Sequence, residues 1–215
     1  MKKKTLTIAI ALVLVVALAV GATWAYLTAK SGPVTNTFTA GKAVASSDLK
    51  LYESKAVQGT DGTYSLDKTA APVTSNAYTV MPGVNLPKDP TVEVTKAEGP
   101  YYLFVEVTKG DQVGNNDTTK ALNYTVDGKN WTKLSINGKE VYAYTNGGTA
   151  AAILSGTVKA AVLKDNTITV SGNEALTSVL TADNAKLTFK AYACQAAGFA
   201  DATEAFNSCF VNTGK

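Results

Sequence analysis

Arginine and histidine are both missing from the 215 residues of this chain, and cysteine occurs only twice. Without Arg, the chain lacks the side chain that most often reads guanine edges and clamps phosphates. Without His, it lacks the commonest general base and the commonest transition-metal ligand, and with them any His-Glu-x-x-His zinc helix. Charge of either sign is also sparse. The formal net charge is +3, but Lys2, Lys3 and Lys4 carry it, and the rest of the chain balances 17 lysines against 17 acidic residues. A neutral body of this kind excludes polyanion binding, so no nucleic-acid partner is expected.

Those three lysines precede the one long apolar run, Leu6 to Val20, in which Thr7 is the only polar residue. A basic start followed by an apolar stretch is the layout of an export signal. Thr23 and Ala25 supply small residues at minus three and minus one for cleavage between Ala25 and Tyr26. Residues 1–25 then read as a signal helix and 26–215 as one exported domain. The alternative is a retained membrane anchor, since the uncharged stretch runs from Thr5 to Ala29 and about 20 apolar residues span a bilayer. Membrane contact is expected only through this segment while it is uncleaved. Export suits Cys194 and Cys209, because an oxidising exterior permits a disulfide. Two thiols that never meet remain the other option, since spacing alone does not fix their distance. The absence of Cys-x-x-Cys argues against disulfide-exchange chemistry.

Beyond residue 26 the texture is Thr, Val and Tyr with Asn-Gly and Asp-Gly punctuation, which favours strands joined by tight turns. In Tyr101 to Val107, the side chains of Tyr101, Leu103, Val105 and Val107 share one face and Glu106 takes the other. Leu187 to Ala193 alternates likewise, which sets Cys194 on the face of Lys190 and Tyr192, away from the deepest core. Further strands are expected over 34–40, 48–53, 91–96, 121–126, 131–136, 140–145, 157–163 and 167–171. The turns at Asp127-Gly128 and Asn137-Gly138 predict a three-strand meander from Asn123 to Tyr144. Two short helices are expected, one capped by Asn173 and reaching Leu180, the other capped by Asp201 over residues to Phe206 with Glu204 completing a capping box. The pattern is that of an all-β antiparallel sandwich. Asp111, Asn115, Asn116 and Asp117 form an oxygen-rich loop with the donor types that Ca²⁺ prefers, but not at EF-hand spacing, and a solvated turn is the expectation.

Several segments in order carry a resemblance. Gly21-Ala22-Thr23-Trp24-Ala25-Tyr26-Leu27-Thr28 spans the signal junction, and Asn36-Thr37-Phe38-Thr39-Ala40-Gly41 follows. Then come Met81-Pro82-Gly83, Lys88-Asp89-Pro90-Thr91-Val92-Glu93-Val94 and the aromatic strand at Tyr102. Ala191-Tyr192-Ala193-Cys194-Gln195-Ala196-Ala197-Gly198-Phe199 with Glu204-Ala205-Phe206 closes the series. Together they resemble the TasA/camelysin family, exported proteins of Gram-positive bacteria processed by a SipW-type signal peptidase. Ala29, where the family often has Asp, and the two cysteines depart from its pattern.

The resemblance implies a jelly-roll β-sandwich, secreted or held at the cell surface, that polymerises with itself and other matrix components into biofilm fibres. In such fibres each subunit donates its N-terminal segment as a strand to the next. Residues 26–40 suit that role, being Thr-rich with Lys30 as the single charge, and Leu27, Val34 and Phe38 are the expected inserting side chains. The same segment read as an ordinary first strand of its own sandwich is the alternative. A second reading from the same family is a camelysin-like surface metalloendopeptidase. Zinc would then have to be held by carboxylates and cysteines, an atypical catalytic set. No catalytic residue, metal or cofactor is therefore expected. A monomeric surface or pilin-like adhesion protein is the third reading.

Overall fold

Tyr101–Lys109 is an uninterrupted run of aromatic and β-branched residues, which favours extended backbone. It is bounded by Pro100 and by Gly110, where a Cβ would strike the backbone of Asn184. The computed structural model describes residues 43–212. The signal segment, the junction at Ala25 and Tyr26, and the donor candidates Leu27, Val34 and Phe38 lie outside the described residues.

Among the described residues the protein is all-β, with sheets that are antiparallel but for one pair. Its strands are β1 (Leu49–Tyr52), β2 (Lys55–Gln58), β3 (Tyr64–Asp67), β4 (Leu86–Pro87), β5 (Thr91–Val94), β6 (Tyr101–Lys109), β7 (Val113–Asn115), β8 (Leu122–Tyr124), β9 (Trp131–Leu134), β10 (Glu140–Tyr144), β11 (Val158–Ala161), β12 (Thr167–Val170) and β13 (Leu187–Gln195). One sheet has the order β13-β6-β10-β9, a second β1-β5-β11, a third β4-β12-β8-β7, and β2 pairs with β3 alone. The second and third sheets are joined by a bulged ladder. Lys88 N donates to Asn166 O at 2.8 Å and Val162 N to Pro90 O at 2.9 Å, so the β4–β5 chain stays bonded to the β11–β12 chain across the gap. Three residues, Lys88 to Pro90, face five, Val162 to Asn166. The surplus is taken up by Asp165 and Asn166 in the left-handed region, at φ of 54° and 50°.

Side chains from these three sheets meet in one core that includes Val92, Val94, Leu103, Val105, Tyr124, Trp131, Val162 and Ile168. β6 is buried on its other face as well. Tyr102 and Phe104 join Val141, Ala143 and Cys194 in a second cluster beneath the C-terminal helix Ala202–Phe206. Cys194 does point away from the main core, as its parity predicts, but it is buried in this second one. Phe206 is the plug, fully buried, with its ring 5.2 Å from Phe104 and 5.5 Å from Tyr192.

The helix starts as its sequence predicts: Glu204 N donates to Asp201 Oδ1 at 2.8 Å, and Glu204 Oε2 in return accepts from Ala200 N at 2.7 Å. It then runs past Phe206 into a wide π turn, Asn207–Val211. The other expected helix is shorter than its periodicity suggests, Glu174–Thr177, with Asn173 as its cap.

The meander is corrected. β9 and β10 form the expected hairpin, with Gly138 at φ 69° in its turn, but β8 belongs to another sheet, between β12 and β7. Before Trp131 the chain is drawn across to β11, since Asp127 N donates to Val162 O at 2.9 Å and Val126 bridges to Leu163. β8 falls within the strand expected over 121–126, whereas β2, β3, β4 and β7 have no counterpart among the expected strands.

Phe206→Ala should lower stability by about 3–5 kcal/mol, the cost of emptying a buried aromatic site. Urea unfolding followed by circular dichroism would measure it; a change below about 1 kcal/mol would show that the second cluster contributes little.

Candidate functional site

β1 and β13 are edge strands of different sheets and lie side by side. Their hydrogen-bond parity decides which backbone groups are left over. On β13, Ala196 N donates to Pro100 O at 2.9 Å and Lys186 O accepts from Gly110 N at 2.8 Å, so even-numbered residues bond inward to β6. Leu187, Phe189, Ala191, Ala193 and Gln195 therefore turn their N–H and C=O groups to the open side. On β1, Asp48 O accepts from Thr95 N at 2.9 Å, and Glu53 bonds outward to Val73, so Leu49 and Leu51 also face their backbone groups outward. Among the described residues neither edge has a ladder partner along Leu49–Leu51 or Phe189–Ala193.

Between these edges lies a groove of about 400 Å³. Its floor and walls are mainly apolar: Val44, Leu49, Leu51, Ala191, Ala193 and Phe210. Leu49, Leu51, Ala191 and Ala193 also pack on the main core, whereas Phe210 belongs to the second cluster, 4.8 Å from Tyr192 ring to ring. A strip of small and aliphatic side chains flanked by unpaired backbone groups is the surface that an added strand completes.

A larger cleft of about 660 Å³ opens over Leu86, Val113, Leu122, Ile168 and Leu187, with Lys88 at its polar end. The charge there is already balanced, because Lys88 Nζ sits 2.6 Å from Glu53 Oε1 with both side chains nearly buried. Asn76 Nδ2 holds the second Glu53 oxygen at 3.0 Å, and Asp89 accepts from the backbone and hydroxyl of Ser54 at 2.8 and 2.7 Å. Lys88 and Asp89 thus tie the end of β1 to the bulge.

Glu140 anchors a third polar group. Its Oε1 accepts from Tyr124 OH at 2.7 Å, Tyr142 OH at 2.8 Å and Asn115 Nδ2 at 2.8 Å, while Oε2 lies 3.1 Å from Lys109 Nζ. Burial works against its ionisation, but the two hydroxyls, the amide and the ammonium outweigh that and hold its pKa at about 2. Burial and the carboxylate push both tyrosine hydroxyls far up. Across the same sheet Glu106 accepts from Lys139 Nζ and Tyr192 OH, both at 2.6 Å. Burial opposes its ionisation too, yet these partners hold it below the usual carboxylate range.

The oxygen-rich loop is divided between two tasks. Asn115 is committed to Glu140 and Tyr142, and Asp117 Oδ1 closes a local turn onto Thr119. No three His, Cys, Asp or Glu side chains converge as a metal set among the described residues. Cys194 and Cys209 are joined by a disulfide, with Cα atoms 6.6 Å apart. The inward assignment of Ala191 and Ala193 places them in the groove, but Leu49, Leu51 and Phe210 carry no sequence signal for it. Their neighbours on β13 are more than a hundred residues from β1 in the chain.

Because the Glu140 pKa falls from 4.5 to about 2 on folding, its contribution is complete above the unfolded value and is lost as pH drops from 4.5 toward 2. Glu140→Gln should cost about 1–3 kcal/mol at neutral pH and flatten that part of the acid limb. Urea titrations at several pH values would test this; an unchanged acid limb would refute it.

No family model, curated protein or solved structure matches this chain.

Proposed function

We propose that this protein is a secreted structural subunit of extracellular matrix fibres, a jelly-roll sandwich of the TasA/camelysin kind, assembled when residues 26–40 of one copy add to the open groove of another. The observation that carries this reading is a pair of facing strand edges, without a ladder partner among the described residues, around an apolar floor. An added strand would bond to Phe189, Ala191 and Ala193 on one side or to Leu49 and Leu51 on the other, and its alternate side chains would enter the groove. Leu27, Val34 and Phe38 are the side chains assigned to that role.

Chain geometry supports the tether. The described chain enters at the groove, where Ala43 O accepts from Glu98 N at 2.8 Å and Val44 forms part of the wall. Residues 26–38 fully extended would reach about 43 Å, longer than the roughly 30 Å of nine-residue β13. Before cleavage by a SipW-type signal peptidase the segment is held by its signal helix, and afterwards it is free to pair. Equal numbers of lysines and acidic residues beyond Lys4 leave little long-range repulsion between copies. The role is scaffolding at the cell surface or in the matrix, with other matrix components as neighbours and no reaction catalysed.

Two variants of the exported chain test the reading. Deletion of residues 26–38 should abolish fibres seen by electron microscopy. Ala191→Pro removes an N–H that faces outward, so it spares the β6 ladder while blocking an added strand. It should fold and yet assemble at least about tenfold more slowly, as expected for losing a central interface contact. Unimpaired fibres from the deletion would sink strand donation and leave residues 26–40 as a strand of their own subunit.

A further inference from the structure

We propose that the Cys194–Cys209 disulfide switches the groove on, by holding Phe210 in its wall, so that a strand is accepted by the oxidised chain and not by the reduced one. The switch acts on the strand-accepting groove and therefore rests on the function proposed above.

Phe210 reaches the groove from the π turn Asn207–Val211, no residue of which is buried. A helical segment as short as Ala202–Val211 does not hold itself together. Its first part is anchored by Ala202, Ala205 and Phe206, each 4% exposed or less. Beyond Phe206 the anchors are the bond from Cys209 to Cys194 and the packing of Phe210 on Tyr192, Phe206 and Phe104, with centroids at 4.8, 5.2 and 6.4 Å. Cys194 belongs to β13, the strand whose outer edge borders the groove. The disulfide thus fastens the wall that carries Phe210 to the wall formed by β13. Breaking it leaves Phe206 in place and the second cluster closed, while the last turn loses its covalent hold and Phe210 with it.

The chemistry is thiol–disulfide exchange. The Cys194 and Cys209 thiols give up two protons and two electrons to form one S–S bond, and a small-molecule disulfide outside the cell is reduced to two thiols. Cys209 is half-buried, so such a reagent reaches it. A chain kept reduced before export would hold an incomplete groove, which keeps copies from pairing until they are outside.

The test uses the exported chain from Tyr26 onward, oxidised or treated with dithiothreitol, beside an oxidised Phe210→Ala variant. Trp131, buried in the main core, is the only tryptophan beyond residue 25 and reports that each sample stays folded. Hydrogen exchange by mass spectrometry, read without assembly, should show residues 207–212 losing protection on reduction while 101–107 keep theirs. Sedimentation and electron microscopy should show the reduced chain and oxidised Phe210→Ala assembling at least about tenfold more slowly than the oxidised parent. Unchanged exchange at 207–212, or equal assembly by the folded reduced chain or by Phe210→Ala, overturns the switch alone. If reduction unfolds the chain, Phe210→Ala decides. Failure of the oxidised parent to assemble overturns the strand-accepting groove, and the switch falls with it.

Discussion

β6 is buried on both faces and paired along both edges, and the two cores of the described residues are arranged around that constraint. Its odd-numbered side chains, Tyr101 to Val107, enter the main core, while Tyr102 and Phe104 enter the second cluster. A strand with one wet face would need only one cover. This one needs a facing layer on one side and the C-terminal helix on the other, because water on either face would meet a row of aromatic and branched side chains. The disulfide and the Phe206 plug are consequences of that second buried face.

Few charges are spent inside the protein, and those that are serve as bolts between elements. Glu53 with Lys88 fastens the end of β1 to the bulge that joins two sheets. Glu140 gathers two tyrosines, an asparagine and Lys109. Each carboxylate is saturated with donors, which makes burial tolerable. Lys88 and Asp89, part of a motif that looks merely like a turn before a strand, hold the end of β1 and hence one edge of the groove. The same saturation leaves the cationic groups lining the larger cleft paired, whereas the apolar groove is flanked by two strand edges without a ladder partner among the described residues.

An open edge is usually blunted by charge, proline or a covering loop. Here Leu49 and Leu51 on β1 and Ala191 and Ala193 on β13 turn small and aliphatic side chains to the groove. That choice is costly for a chain meant to stay alone and useful for one that pairs with a strand. The lack of net charge outside the first four residues works in the same direction, since like copies approach without long-range repulsion.

The longest strands were legible because their period is local. Tyr101–Val107 and Leu187–Ala193 announce themselves by alternation, and Asp201 with Glu204 announces a helix start, since each signal lies within a few residues. Turn chemistry misled at Asp127-Gly128, because a turn residue says that the chain reverses but not which sheet it rejoins; Val162 and Leu163 decided that. Alternation also placed Cys194 off the main core, but only the C-terminal helix made its surroundings a second core and brought Cys209 to it. By itself, then, the sequence determined a strand-rich body of balanced charge, an apolar run behind three lysines, and a chain without His-based chemistry. The tertiary structure alone decided that β1 and β13 lie side by side, with outer edges that no strand of the described residues covers, because that proximity comes from packing between residues far apart in the chain, which no local pattern encodes.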